Sequence, residues 1–137
     1  MTHLQTYIKG LIAALRATPG FPGDIEESPV RAISRDRPQV LSIRPGAEAI
    51  SADSPHDRST RVREIHVVVH TAGEDQVDLA EEVFEAAHPI IMTFEAEDLV
   101  AIEEHSTDEP KYANGDLTRQ VVTRRYRFTY QTGAHAL

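Results

Sequence analysis

Between Thr2 and Ala17, apolar residues recur at three- and four-residue spacing: Leu4, Tyr7, Ile8, Leu11, Ile12 and Leu15. This predicts an amphipathic helix with one stripe turned toward a core. Thr2 is placed to cap it, and Thr18-Pro19-Gly20 ends it. Gly10 weakens such a helix by about 1 kcal/mol relative to alanine, which one buried stripe can offset. A second helical pattern runs from about Asp75 to Thr93. Val77, Ala80, Phe84, Ala87 and Ile91 form one row, widened by Leu79, Val83, Ile90 and Phe94. Asp75 is the expected cap, and Asp78 sits in the first turn, where a carboxylate suits the helix dipole. Pro89 inside this pattern predicts a kink, or a division of the helix after Ala87-His88.

Elsewhere the period is two. Val40 to Arg44 reads as a strand bounded by Pro38 and by Pro45-Gly46, and Thr60 to Thr71 as a longer one. Glu97 to Ala101 suggests a further helical turn, followed by a weak strand from Ala101 to Thr107. Leu117 to Gln131 is the clearest strand. Val122, Tyr126, Phe128 and Tyr130 fall on one side, and Arg119, Thr123, Arg125, Arg127 and Thr129 on the other. At ~3.4 Å per residue it runs roughly 50 Å, about twice a typical strand, and long enough to outgrow its own sheet toward a neighbouring subunit. Prolines and glycines between 19 and 37 predict irregular chain, with a short strand near Val30 to Ile33. Residues 46–59 and 108–116 read as flexible polar loops, the second with an Asn114-Gly115 turn signal. The order helix, strand, strand, helix, strand, strand predicts an α+β fold. Its expected form is a four-stranded, mostly antiparallel sheet with two main helices packed on one face, as a single domain over 1–137.

The length of 137 residues suits one core, and 40% hydrophobic with 26% charged residues is the composition of a soluble globular protein. No apolar run approaches the ~20 residues that cross a bilayer, and no leader pattern is expected at the start. With no cysteine, disulfides, thiolate nucleophiles and cysteine metal sites are excluded. A net charge of −8 argues against nucleic acid as the main partner. The charge is segregated, however. Arg31, Arg35, Arg37 and Arg44 form one basic group, Arg58, Arg61 and Arg63 a second, and Arg119, Arg124, Arg125 and Arg127 a third. Acidic residues concentrate from Glu74 to Asp108. Such segregation suits self-association, and equally an ordinary solvated surface.

Candidate chemistry is sparse. His66 and His70 have the i, i+4 spacing of a helical metal pair, but on a strand their origins lie ~13–14 Å apart, too far for one ion. Glu103, Glu104, His105, Asp108 and Glu109 surround one histidine without any fixed ligand spacing. They read better as an acidic edge meeting arginines than as a divalent site or an acid/base pair. His88, beside Phe84 and Ile91, reads as a packed or capping histidine. Ser54, His56 and Asp57 hold nucleophile-type residues, but near neighbours in one loop cannot build a triad, and no Gly-x-Ser-x-Gly elbow is present. No catalytic, cofactor-binding or metal residue is therefore assigned. Arg124, Arg125 and Arg127, with Glu103, Arg61 and Arg63, are the candidate subunit or tube interface, the arginines meeting carboxylates near Glu103 on a neighbouring copy.

Taken together, several segments resemble one family. They are the Tyr7-Ile-Lys-Gly-Leu-Ile-Ala-Ala-Leu-Arg16 helix and the proline-rich stretch after it, the Arg63-Glu-Ile-His-Val-Val-Val69 strand, the Ala80-Glu-Glu-Val-Phe-Glu-Ala-Ala-His-Pro-Ile90 helix, and the closing Arg124-Arg-Tyr-Arg-Phe-Thr-Tyr130 strand. Their order and texture resemble the tail terminator (minor tail, or tail completion) proteins of lambda-like tailed phages and prophages. The resemblance implies a small α/β virion protein, assembled in the host cytoplasm and resident in the virion tail. It implies a homohexameric ring that caps the tail tube protein, ends tail polymerisation and offers a surface to a head-completion or connector protein. Genomic DNA would pass through the ring, with no specific nucleic-acid site, no membrane and no cofactor. Two other readings stand beside it: a head–tail connector or neck protein, and a small α+β enzyme or ligand-binding domain using His88 or His105.

Overall fold

The computed structural model describes residues 1–27, 37–52, 56–113 and 116–137, the side chains of 113, 116 and 117 aside. The elements run α1 (His3–Arg16), β1 (Asp24–Glu26), β2 (Gln39–Ile50), β3 (Arg58–Ala72), α2 (Gln76–Met92), β4 (Leu99–Thr107), β5 (Lys111–Ala113) and β6 (Asp116–Gly133). They form one sheet in the order β1-β2-β3-β6-β4, with β5 also paired to β6. The α+β class and the antiparallel order of the four main strands agree with expectation. The sheet is six-stranded and mixed, however, because β1 adds a parallel edge on β2 and β5 extends the β4 side.

Strand β6 does not outgrow its sheet. Residues 119–133 pair with 58–72 of β3, and β4 and β5 occupy the other side. Its length is consumed inside the domain. Val122, Tyr126, Phe128 and Tyr130 point into the core with Ile65, Val67 and Val69 of β3 and Leu41 and Ile43 of β2. Onto that face α1 lays Tyr7, Leu11, Ile12 and Leu15, and α2 lays Ala80, Val83, Phe84, Ala87 and Ile91. Each fully buried large apolar side chain contributes roughly 1.5–3 kcal/mol, so these stripes decide which sheet face the helices cover.

Half of the expected loop 46–59 is strand. β2 continues through Pro45-Gly46 by a bulge between Pro45 and Glu48, and Arg58 and Ser59 belong to β3. A Cβ on Gly46 would overlap His66 Nε2 and lie 2.8 Å from Glu64 Cβ, so glycine permits this close approach. Within 108–116, residues Lys111–Ala113 form β5; the Asn114-Gly115 turn and the Val30 to Ile33 strand lie outside the described residues.

The helices correct three smaller expectations. α2 runs unbroken through Pro89, which is exposed, so the carbonyl of Glu85 that loses its partner faces water. Asp75 occupies the cap position with φ −93° and ψ 27° and makes no side-chain cap bond; separately, Thr71 Oγ1 donates to the Gln76 carbonyl in the first turn. No helical turn spans 97–101. Asp98 adopts φ 64°, the left-handed region, and turns the chain directly into β4. At α1 the capping is as expected and reciprocal: Thr2 Oγ1 accepts from Gln5 N, and Gln5 Oε1 accepts from Thr2 N.

That left-handed residue anchors a clasp. Asp98 Oδ2 meets His3 Nε2 at 2.9 Å, and Asp98 Oδ1 accepts from Arg58 Nη2 at 3.1 Å. His3 Nδ1 lies 2.9 Å from the Leu137 carbonyl, and the ring stacks on Tyr130. Only an imidazolium can donate from both nitrogens at once. The Leu137 carbonyl first, and Asp98 second, accordingly raise the His3 pKa, while His3 holds Asp98 below its ordinary value.

Two expectations follow. A Cβ at Gly10 would approach Phe94 Cζ to 2.9 Å, and that ring is held between Tyr7 and Phe128. Gly10→Ala therefore destabilises by roughly 1 kcal/mol, because overpacking outweighs the gain in helix propensity; urea unfolding reads this, and a more stable variant would refute it. The clasp's pH dependence has a definite sign. A raised pKa means that His3 contributes fully below 6.5 and loses its contribution as pH climbs through the folded value. The gap in melting temperature between wild type and His3→Gln should shrink from about pH 5 to about pH 8; a constant gap would exclude a charged clasp.

Candidate assembly surfaces

Residues of even number from Val40 to Arg44 and from Glu64 to His70, and of odd number from Arg119 to Thr129, face away from the helices. On this second sheet face, registers align charged residues into rows. Glu103, Arg127 and Glu64 lie directly across from one another on β4, β6 and β3. The next row runs Ser106, Arg125, His66 and Arg44 across β4, β6, β3 and β2.

Of the six residues singled out from sequence, only Arg125, Arg127 and Glu103 share this face. Arg125 is engaged within the chain: its Nε and Nη2 donate to Asp108 at 3.1 and 2.9 Å, a bidentate pair. The pair raises the Arg125 pKa and lowers that of Asp108. Arg127 Nη2 lies 3.4 Å from His105 Nε2, with Glu103 across the register. Arg124 has the opposite parity; its guanidinium sits over the Phe84 ring, 4.8 Å from the centroid, on the helix side. Arg61 and Arg63 also point to the helix side, near the end of the sheet. They close on Glu48 at 3.3 and 3.9 Å, and Tyr130 Oη donates to the same carboxylate at 2.6 Å. Arg61 is buried and also donates to Thr132 Oγ1. Burial, then the Glu48 hydrogen bond, pushes the Tyr130 hydroxyl well up.

Glu64 is the hub that sequence reasoning missed. Its oxygens lie 3.5 Å from both His66 Nε2 and His105 Nε2, and 4.0 Å from Arg125. Burial opposes its charge, but His66, the Ala47 backbone and Arg125 outweigh it and hold the carboxyl below its ordinary range. The signal in the sequence was its parity: Glu64 shares the face of His66 and pairs with Arg127. His70 is on the same face, its pKa lowered by burial and then by Arg44.

His88 packs as expected. Its Nδ1 lies 2.8 Å from the Tyr126 hydroxyl and its Nε2 3.4 Å from Glu104. Burial raises the Tyr126 pKa. His88, Pro89, Phe84 and Arg124 edge a groove of about 330 Å³. A second groove of about 460 Å³ runs along Met92, Phe94, Leu99, Val100 and Ile102. At the end of the β2–β3 hairpin Ile50 is largely exposed. No group of three or more metal-ligating side chains gathers among the described residues.

No protein-family model matches the chain, and no curated protein matches it in sequence. Among solved structures, the chain is similar to one in the virion of a native gene transfer agent particle. That likeness has a TM-score of 0.67 at 12% identity and covers 90% of this chain and 93% of that one. At such identity it is a likeness of fold.

The two sheet-face arginines should part company on substitution. Arg125→Ala removes the bidentate pair with Asp108 and lowers the melting temperature, whereas Arg127→Ala, which breaks no ion pair within 4.0 Å, leaves it within experimental scatter. Equal losses would mean that Arg127 also holds the fold.

Proposed function

We propose that this chain is a structural protein of a phage-like particle, and specifically its tail terminator. The observation that carries the reading is the likeness in fold, nearly end to end in both chains, to a component of a gene transfer agent virion. The order and texture of the elements support the finer assignment. In this role copies of the chain form a ring on the last ring of the tail tube, prevent another from adding, and present their far side to a head-completion protein. The work is done by surfaces rather than by a reaction centre. Of the two histidines on which an enzymatic reading would rest, His88 is engaged by Tyr126 and Glu104, and His105 by Glu64 and Arg127.

The end of the β2–β3 hairpin is the part we assign to the tube. Exposed Ile50 leads into residues 51–57, while the strands behind it are held by Glu48, Arg61 and Tyr130. Deleting all of 46–59 would remove strand residues and the Arg58–Asp98 pair, so a smaller change is required. Replacing 52–56 by a short Gly-Ser turn, which spares the Ser51 N–Thr60 O and Ala134 N–Asp57 O hydrogen bonds, should abolish co-sedimentation with tail tubes and release tube growth, seen as longer tubes by electron microscopy, at unchanged melting temperature. Binding to DNA-filled heads but not to tubes would overturn the terminator reading in favour of a connector.

A further inference from the structure

We infer that copies of this chain join face to back, the acidic outer surface of α2 on one copy against the second sheet face of the next. The inference rests on the ring reading above and names the surfaces that would build it. Both surfaces lie on opposite layers of the sandwich, since the two helices cover only one side of the sheet.

The α2 surface is a run of exposed carboxylates: Glu74, Asp75, Asp78, Glu81, Glu82 and Glu85. None has a basic group within 4.0 Å among the described residues. Like charges at i, i+4, such as Asp78 with Glu82 and Glu81 with Glu85, disfavour a helix. Cations from outside the chain would relieve that repulsion.

The second sheet face supplies them. Arg44, Arg119 and Arg127 lie there, with Lys111 opposite Val121, and none has a carboxylate within 4.0 Å among the described residues.

Edge-to-edge continuation of the sheet is a poor alternative. The β4 edge is interrupted by two bulges, at Leu99/Ala101 and Glu104/Ser106, and the β2 edge carries Pro45 and its own bulge. These are devices that block strand addition. Two different surfaces on opposite sides give a heterologous contact, which closes as a ring if the rotation permits and not as a two-fold pair.

Light scattering behind size exclusion, across concentration and salt, tests this on the full chain. Wild type should assemble at low salt and dissociate as salt rises. Glu81→Lys with Glu85→Lys, or Arg119→Glu with Arg127→Glu, should each weaken association by roughly tenfold or more, because like charges then face one another. Mixing the two variants should restore assembly, since every contact in an alternating ring again joins opposite charges. That rescue also certifies that both variants fold. A wild type that stays monomeric at every condition, or oligomers unmoved by either pair, overturns the inference. So does a sheet-face variant that loses only duplex-DNA retention, which would assign the arginines to phosphate. Ring formation without tube binding would sink the terminator reading alone.

Discussion

Everything in this domain hangs on the pairing of β3 with β6. These two long central strands run in continuous register, with Ile65, Val67 and Val69 of one and Val122, Tyr126, Phe128 and Tyr130 of the other aimed at the helices. A slip by one residue would carry Tyr126, Phe128 and Tyr130 into water and Arg125 and Arg127 into the core, so the register is set by the cost of burying guanidinium groups as much as by the gain from aromatic burial. The positions of α1, α2, β2 and β4 follow as ways of covering that pair.

The same alternation separates the protein's two kinds of chemistry. On the helix side, Phe84 receives Arg124 and Glu48 receives Arg61. On the other side, ion pairs run from strand to strand through Glu64. Arginines adjacent in sequence, Arg124 and Arg125, therefore have unrelated duties.

How far the sequence was legible depends on the length scale of each signal. The long strands and both helices announce themselves through repeated periods, and the core-facing residues read from those periods are the ones buried. Short elements carry no period: β1 has three residues, and only its parallel contact with β2 makes it a strand. Pro45-Gly46 looks like a turn because turns use those residues, yet here the glycine admits the His66 ring and the strand continues. Pro89 looks like a break, but its solvent-facing position makes the lost bond inexpensive. For the candidate interface, residue type and charge were visible, while face and partner were not. Tertiary pairing took Arg125 to Asp108 and Arg61 to Glu48, contacts no local pattern could disclose.

The strand at the centre of the sheet is also the last to be made. β6 lies between β3 and the β4–β5 side, so a chain halted on the ribosome before Asp116 would hold β3 with one partner and both helices without half of their floor. Its central contacts span about half the chain or more at the far end, a topology that delays folding until the final segment emerges. Until then the apolar faces of β3 and α2 stand uncovered. This protein's birth is thus its most exposed moment, which places a premium on rapid closure by β6 or on chaperone cover.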